Sequence, residues 1–171
     1  VGPGCGVLTD TMLEAGCVVH SVELDYGIQR YLKDNLQHKN FTLHCGDACK
    51  EDYETMLELP RDFRCIANLP YAISSIFVAR MIELNSPPTE MFFLVQREMA
   101  ERVASEHGNG EYSALSVRAQ AMYDVKILRN VPPGCFHPPP KVMSSFISMV
   151  RREDRPSAAV NRKIKQLTRA A

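Results

Sequence analysis

The chain has 171 residues, of which 45% are hydrophobic and 23% charged, as in globular domains that bury a hydrophobic core. No run approaches the ~18 consecutive apolar residues of a membrane span, and no segment resembles a signal peptide. The net charge is zero, but residues 1–140 hold 12 Lys/Arg against 18 Asp/Glu, whereas residues 141–171 hold 8 Lys/Arg against 2 Asp/Glu. The basic C-terminal stretch indicates either a phosphate contact or a solvated helix face.

Strand-like and helix-like runs alternate along the chain. A helix is predicted to begin at Val7, directly after a glycine motif. Hydrophobic periodicity predicts strands over residues 17–23, 41–45, 65–67, 91–95, 123–131 and 144–150. It predicts further helices over residues 26–37, 50–59, 74–84, 97–106, 112–121 and 159–170. This order favours an α/β three-layer domain with a mostly parallel sheet and an antiparallel terminal strand.

The six cysteines and five histidines show no metal-binding pattern. There is no Cys-x-x-Cys pair and no His-x-x-x-His pair, so the spacings match no zinc module. We therefore predict free thiols in a reducing, cytoplasmic compartment and no metal cofactor.

A glycine motif, Gly2-Pro3-Gly4-Cys5-Gly6, stands immediately before the first predicted helix. Glycines at such a position let the backbone turn tightly and approach a ligand closely at a helix N-terminus. The motif is weak by itself, because Gly-x-Gly-x-Gly also recurs by chance.

Acidic side chains follow two of the predicted strands. Glu23 ends its strand 21 residues after Gly2, the position from which an acid binds ribose hydroxyls in nucleoside-binding folds. The alternative is a surface acid at a strand end. Asp47, in Gly46-Asp47-Ala48, could accept a hydrogen bond from an adenine amino group, or it could cap the following helix.

The tetrapeptide Asn68-Leu69-Pro70-Tyr71 closes the next strand. The Asn68 side-chain oxygen and the Leu69 carbonyl could accept hydrogen bonds from a planar amine and so localise its nitrogen lone pair. Pro70 would fix the backbone, and the Tyr71 ring could stack on a base. The alternative is an ordinary turn. Because strand ends of an open α/β sheet meet at one edge, these motifs together predict a ligand crevice.

The order of these motifs resembles that of the S-adenosylmethionine-dependent methyltransferases. Leu69 in the tetrapeptide resembles the rRNA adenine N6,N6-dimethyltransferases, since DNA adenine enzymes usually carry a second proline there. Residues 95–102 and 112–117 and the segment Phe136-His137-Pro138-Pro139-Pro140-Lys141-Val142 resemble the same family in order. The resemblance covers residues 1 to about 150 and is closer to the small-subunit dimethylases than to the macrolide-resistance enzymes.

The resemblance implies a cofactor site for S-adenosylmethionine. The three glycines would border its methionine part, Glu23 would hold its ribose, and Asp47 with the Ala48 backbone would read its adenine. The implied cofactor-binding residues are Gly2, Gly4, Gly6, Glu23, Asp47, Ala48 and Asn68.

The resemblance also implies a target site. Tyr71 would stack on a flipped adenosine, and Phe136 would either cover the other face of that base or anchor its own loop. The implied catalytic residues are Asn68, Leu69, Pro70, Tyr71 and Phe136, with no metal ligand. Possible RNA contacts, which could equally be solvated side chains, are Gln96, Arg97, Arg102 and Lys141.

The domain limits implied by the resemblance are a catalytic domain over residues 1–155 and, over 156–171, a linker and the start of a small helical C-terminal domain. The family normally has an N-terminal segment and a strand before the glycine motif, and a longer C-terminal domain. Met143 stands where the family commonly has an acid. We therefore expect a fragment of a longer enzyme.

The activity implied by the resemblance is twofold methylation of N6 of adenosines in small-subunit ribosomal RNA, in ribosome biogenesis. The partner would be this RNA or the assembling small subunit, bound by a monomer without a membrane. Two alternatives stay open. One is a DNA adenine or protein glutamine methyltransferase, and the other is a non-catalytic ribosome-assembly or transcription factor of the same fold.

Overall fold

The computed structural model describes residues 1–56, 60 and 62–170. The chain divides into two compact units, Val1–Glu58 and Leu59–Ala171. No helix of the described residues is both long and apolar enough to cross a lipid bilayer.

The described residues of the N-terminal unit form a two-stranded parallel sheet and three helices. Strands β1 (Val19–Glu23) and β2 (Phe41–Cys45) pair in parallel, with Val19 opposite Phe41. The helices are α1 (Val7–Glu14), α2 (Tyr26–Asn35) and α3 (Tyr53–Met56). Strand β2 confirms the predicted range, and β1 and α2 lie within theirs. Helix α2 begins after Asp25, whose side chain accepts a hydrogen bond from the Ile28 amide at 2.9 Å.

Helix α3 is shorter than the predicted helix over residues 50–59. The Asp47 carbonyl accepts the amides of Lys50 and Glu51 at 2.8 and 3.0 Å, so this segment begins as a turn. Asp52 then accepts the Glu54 amide at 3.1 Å and caps the helix. Residues 57–59 of that prediction lie outside the described residues.

The C-terminal unit contains a four-stranded sheet in the order β3-β4-β6-β5. Its strands are β3 (Arg64–Asn68), β4 (Glu90–Gln96), β5 (Tyr123–Val131) and β6 (Ser144–Arg151). Strands β3 and β4 are parallel, and β6 is antiparallel to both β4 and β5. The predicted antiparallel terminal strand is thus confirmed. It lies inside this sheet, between β4 and β5.

Strand β4 is apolar from Met91 to Val95, but it is not buried on both faces as a strand in a purely parallel sheet would be. Its buried side chains alternate with half-buried ones: Met91, Phe93 and Val95 are fully buried, whereas Phe92 and Leu94 are partly exposed. Strand β4 pairs in parallel with β3 and antiparallel with β6, and sheets with antiparallel pairs commonly bury only one face.

The described part of this unit also has four α-helices: α4 (Ser74–Glu83), α5 (Arg97–Ala104), α6 (Ala114–Met122) and α7 (Ala158–Ala170). Helix α7 is held against the others by polar contacts. Glu83 of α4 pairs with both Arg118 of α6 and Lys165 of α7. Asn161 donates a hydrogen bond to the Ile82 carbonyl at 3.3 Å. A domain boundary at residue 155 stays a prediction.

A histidine pair in the N-terminal unit predicts a dependence of stability on pH. His20 Nδ1 lies 3.1 Å from His44 Nε2, and the two rings stack. Burial, followed by His20, lowers the pKa of His44, while Glu51 opposes this effect. The unfolded chain therefore binds this proton more readily, and the unit should lose stability as the pH falls below about 6.5.

Hydrogen exchange of the β1 and β2 amides between neutral and mildly acidic pH measures this effect. In the wild type we expect the strands to open faster at low pH. In His44→Gln we expect a smaller increase of the opening rate. His107→Gln, in an exposed loop of the other unit, is the control. Equal pH dependence in wild type and His44→Gln would contradict the assignment.

Candidate functional site: two ligand-facing strand edges

The glycine motif forms a tight turn at the end of β1. Gly2, Gly4 and Gly6 have φ values of 59°, 56° and 90°, a left-handed conformation that side chains with a Cβ disfavour. The Gly2 amide donates to the Val22 carbonyl at 3.0 Å, which fixes the turn beside β1. A Cβ on Gly4 would meet no atom within 4 Å. The turn therefore presents open space as well as bare backbone.

Glu23 lies beside this turn as the last residue of β1. It is 7% exposed, and its Oε1 accepts the Asp25 amide at 2.8 Å. The backbone carbonyl of Glu23 accepts from Gly46 N and from the Gln29 side chain, both at 2.9 Å. No described residue donates to Glu23 Oε2, so one carboxylate oxygen stays available to a ligand.

Gly46, through its bond to Glu23, brings the end of β2 to the same edge of this unit. Asp47 Oδ1 accepts the Cys49 amide at 2.9 Å, and Lys50 lies 3.4 Å from Oδ2. Ala48 is buried, and its carbonyl accepts the Tyr53 hydroxyl at 2.8 Å. Asp47 thus caps a turn and not the following helix, whose first turn is capped by Asp52. Contact with an adenine stays a prediction.

The tetrapeptide follows β3 in the C-terminal unit. Asn68 is exposed, whereas Leu69 is buried and its amide donates to the Leu94 carbonyl at 3.1 Å. The Pro70 carbonyl accepts the Ile73 amide at 3.1 Å, so the chain does turn here. Within the described residues, neither the Asn68 side chain nor the Leu69 carbonyl has a hydrogen-bond partner. Two acceptors without an internal hydrogen bond therefore lie at one strand end, one of them on the buried Leu69.

Ser144 is a residue of this edge that the sequence interpretation missed. The Tyr71 hydroxyl lies 2.7 Å from Ser144 Oγ, and Ser144 is fully buried as the first residue of β6. The bond joins residues 73 positions apart and fixes the Tyr71 ring relative to the sheet. The motif that carries the resemblance ends at Val142, just before Ser144. The pair of serines that opens this strand was the available signal.

The bond between Tyr71 and Ser144 should be measurable by a double-mutant cycle. Tyr71→Phe and Ser144→Ala each remove one partner with little change of shape. We expect a coupling free energy of about 0.5–1.5 kcal/mol, the usual contribution of such a bond. Denaturant unfolding of the two single variants and the double variant gives this value. Strictly additive effects would show that the hydroxyls do not interact.

The other predicted contacts lie on the surface of the C-terminal unit. Phe136 is half-exposed after a short 3₁₀ turn (Pro133–Cys135), its amide bonded to the Pro133 carbonyl at 3.1 Å. Lys141 is exposed. On α5, Arg97 pairs with Glu101 at 3.4 Å and Arg102 with Glu98 at 2.8 Å, while Gln96 precedes the helix. These exposed pairs contribute little to stability, so the arginines can exchange partners.

The model of the family described as ribosomal RNA adenine dimethylase matches residues 1–171. The chain belongs to this family. Within the dimethylase family, it is 38% identical over 165 residues to the ribosomal RNA small subunit methyltransferase A of Pseudomonas syringae pv. syringae. That match covers 96% of the chain and 62% of the relative. The protein of that name from Nitrosospira multiformis is 35% identical over 150 residues, covering 88% of the chain and 57% of the relative.

Solved structures show the Rossmann-like methyltransferase fold for this dimethylase chain. A dimethyladenosine transferase from Plasmodium falciparum matches with a TM-score of 0.70 and 27% identity, covering 88% of the chain and 54% of that protein. The 23S rRNA methyltransferase ErmE matches with a TM-score of 0.77 and 24% identity, covering 97% and 66%. The predicted fold class and family are thereby confirmed, and the chain spans about 62% of the length of its relative from Pseudomonas syringae.

Proposed function

We propose that this chain carries the catalytic residues of an S-adenosylmethionine-dependent dimethyltransferase that modifies N6 of adenosines in small-subunit ribosomal RNA. Its relatives are named ribosomal RNA small subunit methyltransferase A. The observation that carries the proposal is the pair of free acceptors at the end of β3, Asn68 and the Leu69 carbonyl. The enzyme would act in the cytoplasm, as a monomer, on the assembling subunit during ribosome biogenesis.

The N-terminal unit has the donor and acceptor groups that S-adenosylmethionine requires. The glycine turn offers backbone beside open space at Gly4, which suits the methionine part. Glu23 Oε2 can accept hydrogen bonds from ribose hydroxyls while Oε1 stays bonded to the Asp25 amide. Asp47 and the backbone at Ala48 would contact the adenine. When bound, the cofactor supplies an electrophilic methyl group on a sulfonium.

The C-terminal unit would hold the target adenosine. The lone pair of an adenine N6 is delocalised into the ring, so the amine is a weak nucleophile. Asn68 Oδ1 and the Leu69 carbonyl would each accept one N–H and draw the nitrogen toward a tetrahedral geometry. Pro70 keeps the Leu69 carbonyl in place, and Tyr71 would stack on the base, held by Ser144. Phe136 would cover the opposite face.

The reaction needs alignment more than acid–base chemistry. Direct displacement would form the bond from N6 to the methyl carbon and break the bond from that carbon to sulfur, and it would release a neutral thioether, an excellent leaving group, and one N6 proton to solvent. Asn68 and Leu69 would therefore act by orienting and polarising the amine. The base must leave any helical stack to reach them, which favours an adenosine in a loop or single strand.

Methyl incorporation from labelled S-adenosylmethionine into unmethylated small subunits tests the proposal. The full-length protein should transfer methyl groups, and mapping should find dimethylated adenosines. Fully methylated subunits are the control and should accept none. Absence of transfer by a protein that binds both cofactor and subunits would contradict the proposal and favour an assembly role.

A further inference from the structure

A polar cavity of about 590 Å³ lies at the edge of the C-terminal sheet opposite Asn68. It is lined by the segment between α4 and β4, by the end of α6, and by the chain from the end of β6 into α7. Backbone bonds close this edge: Arg151 N donates to the Thr89 carbonyl at 2.9 Å, and Arg152 N to the Met122 carbonyl at 3.0 Å. We name it the amino-edge cleft. The seven residues of β4 separate it from the edge with Asn68 by roughly 20 Å.

The charge of the amino-edge cleft is strongly positive. Five basic and two acidic side chains line it, a net charge of +3. One of the acids, Glu83, is already neutralised by Arg118 and Lys165. Glu153 is then the one acid of the lining that stays unpaired among the described residues. The chain as a whole is neutral, so this local excess is a distinct feature.

The arginines of the cleft fall into held and available groups. Arg118 is bound to Glu83, and Arg151 Nη1 donates to the Pro87 carbonyl at 2.6 Å. Arg155 is exposed and uses only Nη1, toward the Arg152 carbonyl at 3.1 Å. Arg162 is exposed and has no hydrogen bond or ion pair with any described residue. Arg155 and Arg162 therefore present guanidinium groups to a ligand.

Guanidinium groups bind phosphate oxygens well, because they donate two parallel hydrogen bonds in a bidentate geometry. The cleft is open to solvent and holds more than one available arginine. A polyanion that passes over the surface can contact the two exposed arginines with successive phosphates. Ribosomal RNA is such a polyanion.

We propose that the amino-edge cleft binds the RNA phosphate backbone through Arg155 and Arg162, at a distance from the adenosine. This inference rests on the proposed function for the identity of the RNA. The contact would be independent of base sequence, since phosphates carry none. It would keep the RNA in a fixed position while the tetrapeptide binds one base.

The test compares two double variants of the full-length protein with the same change of charge. Arg155→Glu with Arg162→Glu alters the cleft, and Arg30→Glu with Lys33→Glu alters exposed positions of α2. Affinity for single-stranded RNA is measured over a range of salt concentrations. The cleft variant should lower the salt slope by about 1.4, because each phosphate that the protein no longer neutralises lowers it by about 0.7. Its affinity should fall at least tenfold, and the α2 variant should change much less.

The conservative double variant Arg155→Lys with Arg162→Lys should keep most of the slope, because the charge remains. Equal decreases of RNA affinity and salt slope in the cleft and α2 variants would overturn the proposal. An unchanged salt slope in the cleft variant would also overturn it. If the double reversal fails to fold, Arg155→Ala and Arg162→Ala should each lower the slope by about 0.7.

Inorganic phosphate distinguishes the source of the anion. One outcome would show that the RNA proposal is wrong: millimolar phosphate raises the melting temperature of the wild type but not of the cleft variant, and the two proteins have equal salt slopes for RNA binding. The cleft would then bind a free anion. Calorimetry with S-adenosylmethionine should give the same affinity for all variants. Since RNA slopes are measured without methyl transfer, a failure of the proposed function and a failure of this inference are separate results.

Discussion

Replacing Asn68 with alanine is expected to lower the rate of methyl transfer at least about a hundredfold, the usual cost of removing one preorganised polar group that acts in the transition state. The side chain ends β3, is exposed, and has no partner among the described residues. Its proposed contribution is to accept an N–H of the target amine, a bond that strengthens as the nitrogen becomes tetrahedral. Removal of that bond therefore affects the rate more than it affects binding.

The fold should survive this substitution. An exposed side chain without an internal hydrogen bond contributes little, so we expect the free energy of unfolding to change by less than about 0.5 kcal/mol. Asn35→Ala, on the surface of α2, makes the same chemical change away from the tetrapeptide and should leave activity intact. Asn68→Asp keeps an acceptor oxygen at the same place and should retain more activity than Asn68→Ala.

Single-turnover transfer from labelled cofactor to unmethylated small subunits gives the rate, and thermal melting gives the stability. Normal turnover by a folded Asn68→Ala protein would show that Asn68 does not polarise the amine. Equally low rates in the alanine and aspartate variants would show that the amide N–H groups, not the oxygen, are required.

The strand ends could be predicted from the sequence because they follow from local rules. The alternation of apolar and polar residues, together with turn residues, predicted the observed limits of β2 and β5. Glu23 and Asn68 are the last residues of β1 and β3, as predicted. The carboxyl ends of parallel strands share an edge, so adjacency of Glu23 and Gly46 followed without tertiary information.

Contacts between distant segments could not be predicted in the same way. The bond from Tyr71 to Ser144 depends on β6 entering the sheet beside β4, which no local pattern specifies. The amino-edge cleft depends on α7 docking through Glu83, an acid that looks like any helix-surface residue in the sequence. The short length of α3 has a local cause. The Asp47 carbonyl accepts hydrogen bonds within its own turn, and this turn replaces the first part of the predicted helix.

Replacing Glu23 with alanine is expected to weaken binding of S-adenosylmethionine roughly tenfold to a hundredfold. Hydrogen bonds to a charged group contribute about 1.5–3 kcal/mol, and each 1.4 kcal/mol is a factor of ten in affinity. The Oε2 of Glu23, to which no described residue donates, is the proposed acceptor for ribose hydroxyls. The substitution also removes the acceptor for the Asp25 amide, so a second variant is needed to separate binding from local structure.

Glu23→Gln provides that separation, because its side-chain oxygen can still accept the Asp25 amide while the charge is removed. We expect an intermediate affinity for this variant and a melting temperature close to that of the wild type. Glu14→Ala, at an exposed position of α1, removes one acid without touching the strand edge and should bind the cofactor normally. Calorimetric titration with S-adenosylmethionine measures all three. Unchanged affinity in Glu23→Ala would remove the ribose role, because a carboxylate that holds the hydroxyls cannot be deleted without a measurable weakening.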